Sequence, residues 1–367
     1  MTDTYRQRRQ RLLDTLASHD CDAMLVTKYV NVTYLTGFTG DSSYLLLTAD
    51  RAVILSDTRY DTQLENECPG MERVIRDAGT TMKQVLERET AGVRRLGIEA
   101  DSLTWAQADE FKEAIGAELA PTTGLLDRLR EVKDEQEVAA IRRSIALAEE
   151  SMRTLHQRLH PEMTELEMAA ELEYIIRQGG GQGCSFPPIL AVGSNAALPH
   201  ASPTSRRLKE HPVLLTDWGA TRDHYLSDLT RVWMTDKITP EIETVYGVVL
   251  TAQQRAIDCI RPGALMTDVD QAARATIRDA GYGPYFGHGL GHGFGLEIHE
   301  QPRLAPPQPN QPPRALEVGM VVTVEPGIYL PGQFGVRIED DILVTPDGHE
   351  VLSSIPKALD ACRLQVA

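Results

Sequence analysis

The chain has 367 residues, two domains' worth at roughly 100–200 residues each, and its 42% hydrophobic and 25% charged residues are a globular composition that argues against long disorder. Its 53 acidic residues against 37 basic ones give a formal charge of −16, which would repel a phosphate backbone and excludes nucleic acid as a ligand. No window approaches the ~18 apolar residues of a membrane helix, and residues 1–20 are Arg-rich without a signal-peptide core, so a soluble cytoplasmic protein without a membrane partner is expected.

Taken in chain order, Tyr5 to Ser18 carries Leu12, Leu13 and Leu16 at helical spacing, and Ala23 to Val26, Tyr44 to Leu47 and Ala52 to Leu55 are short β-type runs. The first part is therefore an α/β domain. No G-x-x-x-x-G-K-[ST], G-x-S-x-G or clean G-x-G-x-x-G occurs, so it has neither a phosphate cradle nor a nucleophile elbow. A charged stretch, Asp127 to Glu137, leads into the periodic Ile141, Ile145, Ala148 and Met152, which places the domain boundary near residue 126. Beyond it the pattern predicts helices over 134–159, 164–178, 240–260 and 267–280, separated by β-rich segments. Pro302 to Pro313 holds six prolines and reads as a loop. Cys21, Cys68, Cys184, Cys259 and Cys362 are odd in number and widely spaced, hence reduced thiols.

Three segments carry chemistry. Val213 to Met234 reads as a hairpin, and a turn centred between Arg222 and Asp223 sets Asp217 opposite Asp228. Two carboxylates about 4 Å apart repel by about 4 kcal/mol at an effective dielectric of 20, which favours a cation between them over a pair of solvated turn residues. Val321 to Val344 reads as a second hairpin about Pro331-Gly332-Gln333, opposing Glu325 to Glu339 with Arg337 on the same face. Asp340 and Asp341 compete for that place, since one residue of slip changes the choice. Between the hairpins, Gly287 to Glu300 holds three of the ten histidines among five alternating glycines, a backbone that cannot hold a helix and lets a ligand approach. Arg303 stands four after His299, so H-E-x-x-H is absent and a mononuclear zinc protease is disfavoured. In an extended chain His288 and His292 lie roughly 13 Å apart, too far to share one metal.

The order and spacing of D-W-G, S-D-L-T-R, H-G-L-G-H-G, E-P-G and R-I-E-D resemble the metal-dependent pita-bread peptidases, in the Xaa-Pro branch that contains aminopeptidase P and prolidase. The resemblance extends to the N-V-T-Y-L-T-G-F-T-G stretch at 31–40, which methionine aminopeptidases lack. It implies an α+β fold, a pita-bread catalytic domain over 127–367 preceded by a smaller α/β creatinase-type domain over 1–126. That first domain would wall the cleft and dimerise, with Thr36 to Ser43 overhanging a neighbour's site in a homodimer. The resemblance assigns Asp217, Asp228, His292, Glu325 and Glu339 as ligands of two divalent ions, with Mn²⁺ favoured and Co²⁺ or Zn²⁺ open. Glu325 would also carry the proton, His299 would stabilise the intermediate, His288 and His200 would position substrate, and Arg337 would assist.

Substrates would be peptides with proline second, with the aminopeptidase P type expected ahead of the Xaa-Pro dipeptidase. A catalytically silent pita-bread binding module, or creatinase-like metal-independent hydrolysis, would not keep all five ligand types.

Overall fold

The computed structural model describes residues 3–236, 238–309 and 311–364 and divides into two compact units, Met1–Arg130 and Glu131–Ala367. In the first, helices α1 (Asp3–Ala17), α2 (Tyr29–Thr36), α3 (Asp61–Glu67), α4 (Met82–Glu89), α5 (Trp105–Ala114) and α6 (Leu125–Glu131) alternate with strands β1 (Ala23–Val26), β2 (Tyr44–Thr48), β3 (Ala52–Asp57), β4 (Glu72–Arg76), β5 (Arg95–Glu99) and β6 (Glu118–Thr122). The strands form one sheet in the order β4-β3-β2-β1-β5-β6, antiparallel at its centre and parallel towards both edges. All four residues of β1 are buried, as a strand covered on both faces requires. Helix starts are locally encoded. Thr81 with Gln84 and Thr104 with Gln107 close reciprocal capping boxes on α4 and α5.

The second unit opens with α7 (Glu135–His156) and α8 (Glu165–Gln178), each again begun by a capping box, Asp134 with Glu137 and Thr164 with Glu167. Then follow β7 (Gly183–Cys184), β8 (Ile189–Val192), β9 (Val213–Trp218), β10 (Ala220–Arg222), β11 (Tyr225–Leu226) and β12 (Leu229–Met234). Helices α9 (Pro240–Cys259) and α10 (Met266–Asp279) precede β13 (Gly291–Gly293), β14 (Glu300–Leu304), β15 (Val321–Val324), β16 (Gly327–Leu330), β17 (Phe334–Arg337), β18 (Asp340–Thr345) and β19 (Gly348–Val351). The sheets run β12-β9-β8, β11-β10-β7, β14-β13-β15-β18-β19 and β16-β17. The buried indole of Trp218 donates to the Ala148 carbonyl at 2.9 Å and pins β9 to α7.

Two expectations need correction. The first turn is centred one residue later than the spacing suggests, with Arg222 paired to Tyr225 and both Asp223 and His224 at positive φ. Its register therefore sets Thr230, and not Asp228, opposite Asp217. The proline-rich loop also starts later than Pro302, because Pro302 lies within β14. That strand is the edge of its sheet, where a missing N–H costs no ladder bond.

Candidate metal centre

The two hairpins and the glycine segment meet at one cavity of about 890 Å³, lined by residues of the second unit alone. Asp217 stands at the end of β9, and Asp228 just before β12, two residues from Thr230 on the same strand face. Val324 pairs with Asp340 and Gly327 with Arg337, so the same register carries Glu325 opposite Glu339. The glycine segment bends except at β13, which presents His292 beside them. Gly291 must be glycine here, since a Cβ would sit 1.9 Å from the Thr323 carbonyl oxygen. His200, His288, His299 and Arg337 line the same cavity.

The polar groups converge closely. One ligand atom each from Asp228, His292 and Glu339, all buried, lie within 4.8 Å of one another. His292 Nε2 is 3.6 Å from both Asp228 Oδ2 and Glu325 Oε1. Asp217 accepts from Arg337 through Oδ2, while its buried Oδ1 has no hydrogen-bond partner. Arg337 also donates to Tyr329 Oη at 2.7 Å, and that hydroxyl is hydrogen-bonded to His288 Nε2 at 2.9 Å. The His299 ring stands edge-on to His292 with centroids 4.6 Å apart. Of the competing acids, Asp340 is tied to Arg231 at 2.6 Å and to Lys357, and Asp341 lies under the Asp228 amide.

Burial pushes the Asp228 carboxyl well above the usual carboxylate range, and the charges of Glu339, Asp217 and Glu325 push it further. Glu325 is raised by burial and then by Glu339, and Glu339, raised by burial and Asp217, reaches about 8. Burial pulls His292 down to about 3, so its imidazole is neutral, the form that binds metal. Burial also lowers His288 to about 4 and lowers His299. For Arg337 burial acts downward, yet Tyr329, Asp217, Glu325 and Glu339 outweigh it and the guanidinium stays charged. A buried set of acids this crowded, with an orphaned oxygen on Asp217 and a neutral imidazole alongside, suits divalent cations, and oxygen-rich ligation with one nitrogen suits a hard or borderline ion.

Three further residues have no motif to announce them. Thr230 donates to Glu339 Oε2 at 2.6 Å and accepts from Arg337 Nε at 3.1 Å, a role visible only once the register is known. Tyr329 links His288 to Arg337. Arg303, which breaks the zincin motif, pairs with His292 across β13 and β14 and lines the cavity. It is exposed and has no ion-pair partner among the described residues.

Residues 139–346 match the model of metallopeptidase family M24, and residues 8–132 that of the creatinase/prolidase N-terminal domain. An uncharacterized peptidase of Bacillus subtilis, YqhT, is 34% identical over 95% of this chain and 98% of its own. Among solved structures, the chain is similar to an Xaa-Pro dipeptidase from Bacillus anthracis, with 36% identity, a TM-score of 0.91 and coverage of 97% and 99% of the two chains. An X-Pro aminopeptidase from Thermotoga maritima has 32% identity, a TM-score of 0.88 and coverage of 98% and 100%. A prolidase from Pyrococcus horikoshii has 30% identity, a TM-score of 0.88 and coverage of 96% and 99%.

Proposed function

The chain belongs to metallopeptidase family M24, with that family's α+β pita-bread architecture and a creatinase-type N-terminal domain, and we propose that it is an Xaa-Pro dipeptidase. This reverses the order expected from sequence, in which the aminopeptidase P type came first. The observation that carries the reversal is Arg303. A substrate whose scissile carbonyl sits at Asp228, His292 and Glu339 places its proline one residue further on, and a guanidinium cross-strand from His292 is placed to receive the free carboxylate of that proline. The similarity to the B. anthracis and P. horikoshii enzymes supports the same choice. The size of the cavity and the similarity to the T. maritima aminopeptidase favour longer peptides as the second reading.

Asp217, Asp228, His292, Glu325 and Glu339 would hold two divalent ions, with manganese as the proposed metal. When bound, such ions supply a nucleophile from water at neutral pH and polarise the scissile carbonyl. Glu325, whose surroundings raise its affinity for a proton, is placed to take one from the attacking water and return it to the proline nitrogen. Neutral His299, next to His292, would donate to the developing oxyanion. His288 is held by Tyr329, and with His200 it would orient the proline side, while Arg337 fixes Asp217 from behind. Homodimer formation and a cytoplasmic location remain part of this reading on the strength of the resemblance alone.

The test is hydrolysis of Ala-Pro and Ala-Pro-Ala by manganese-loaded protein. Ala-Pro should be the better substrate, and Arg303→Met should raise its KM by about 10- to 100-fold with a smaller effect on kcat, the pattern of a lost binding contact. An unchanged KM in that variant, or no proline released from Ala-Pro by the parent, rejects the reading.

A further inference from the structure

The segment that leaves β14 walls one side of the cavity. From Leu304 the chain passes Ala305, then Pro306, Pro307 and Gln308, and it returns through Gln311, Pro312 and Pro313, all six of the latter lining the cavity. Both ends are anchored. Leu304 pairs with Gly291, the Met266 amide donates to the Arg314 carbonyl at 2.9 Å, Leu265 bridges Ala315, and the Arg314 guanidinium pairs with buried Glu131. Four of the six wall residues are prolines, which have no N–H to donate.

We propose that this proline strap, more than the size of the cavity, makes the enzyme select substrates that end at proline, an inference that rests on the Xaa-Pro reading above. At about 890 Å³ the cavity lies near the top of the ~300–1,000 Å³ range of sites that engulf drug-sized ligands, so a third residue is not excluded by volume. The selection is chemical. The strap begins two residues beyond Arg303, so whatever follows the substrate proline meets the strap. Clefts that bind extended peptides satisfy the ligand's backbone with N–H and C=O groups of their own. Here the wall presents pyrrolidine rings where donors would be needed, and the carbonyl of a third residue finds no N–H at those four positions. A longer peptide also leaves Arg303 facing a neutral amide. An unmatched polar group in such a site corresponds to about 10- to 100-fold weaker binding.

The test uses two double variants of the metal-loaded full chain, Pro306→Ala with Pro307→Ala and Pro312→Ala with Pro313→Ala, each of which restores two N–H groups. The readout is the ratio of kcat/KM for Ala-Pro-Ala to that for Ala-Pro. In at least one variant the ratio should rise about tenfold, with the gain in KM for the tripeptide. Mere loosening of the strap would lower both substrates together and leave the ratio unchanged. An unchanged or lower ratio in both variants, with the parent still cleaving Ala-Pro, overturns the strap's role and leaves the dipeptidase reading intact. A parent that leaves Ala-Pro uncut overturns both.

Discussion

Thr230 shows how a residue with no chemical signature can set the geometry of a charged site. Its hydroxyl is buried between Glu339 and Arg337, donating to one and accepting from the other. Thr230→Val keeps the shape and strands both partners, and an unpaired buried group costs about 1–3 kcal/mol. We expect metal affinity or kcat to fall about 10- to 100-fold with the fold intact, as for other groups that orient metal ligands. Steady-state kinetics and metal titration check it, and parental values for both would remove Thr230 from the site. Asp217, Asp228, Glu325 and Glu339 were legible because acids flanking turns in apolar strands demand an explanation. Thr230 was not, because a β-branched residue inside a strand needs none. Arg303 was visible only as the residue that spoils a motif, since its value lies in standing across from His292 and not in any spacing of its own.

At the scale of elements, the helices were the most legible part. α7 and α8 start where Asp134 with Glu137 and Thr164 with Glu167 close their capping boxes, a signal contained in four consecutive residues. Strand pairing was harder because a turn centred one residue away moves every partner by two. Asp223 and His224 both take positive φ, which the spacing alone did not reveal, and Asp217 gained Thr230 as its neighbour in consequence. The error left Asp228 on the same face, so the inferred cluster survived a wrong register. β13 is the most demanding element, a three-residue strand that carries His292 and passes so close to β15 that Gly291 has no room for a methyl group. Gly291→Ala must push β13 away from Thr323, whose hydroxyl accepts from the His292 amide at 3.1 Å. The expected loss is about 2 kcal/mol or more, several degrees in Tm, together with weaker metal binding. Thermal melts with and without manganese test it, and a variant that matches the parent in both would show that the strands can separate without moving His292.

For the whole molecule, two units could be read from length and from the charged stretch that starts the second, but nothing in the first 130 residues pointed to chemistry. Its sheet of six strands is specified by ordinary apolar runs, and such runs encode packing without a ligand. The acidic excess has a sharper consequence. Asp228, Glu325 and Glu339 are all held above the ordinary carboxylate range, Glu339 from 4.5 to about 8, by burial and by one another. A carboxyl whose pKa is higher folded than unfolded takes up protons on folding, so its contribution is full below pH 4.5 and is lost as pH rises through about 8. Metal-free protein should therefore melt at progressively lower temperature between pH 5 and pH 8. Divalent cations bind only the folded site and cancel the same repulsion, so they should raise Tm more at pH 8 than at pH 5. Monovalent salt should not replace them, because screening acts weakly on buried charges. Melting curves of chelator-treated protein across that range, with and without manganese, decide the matter. A flat or rising profile without metal would mean that the four acids are not forced together in the folded chain, and the metal centre would lose its physical basis.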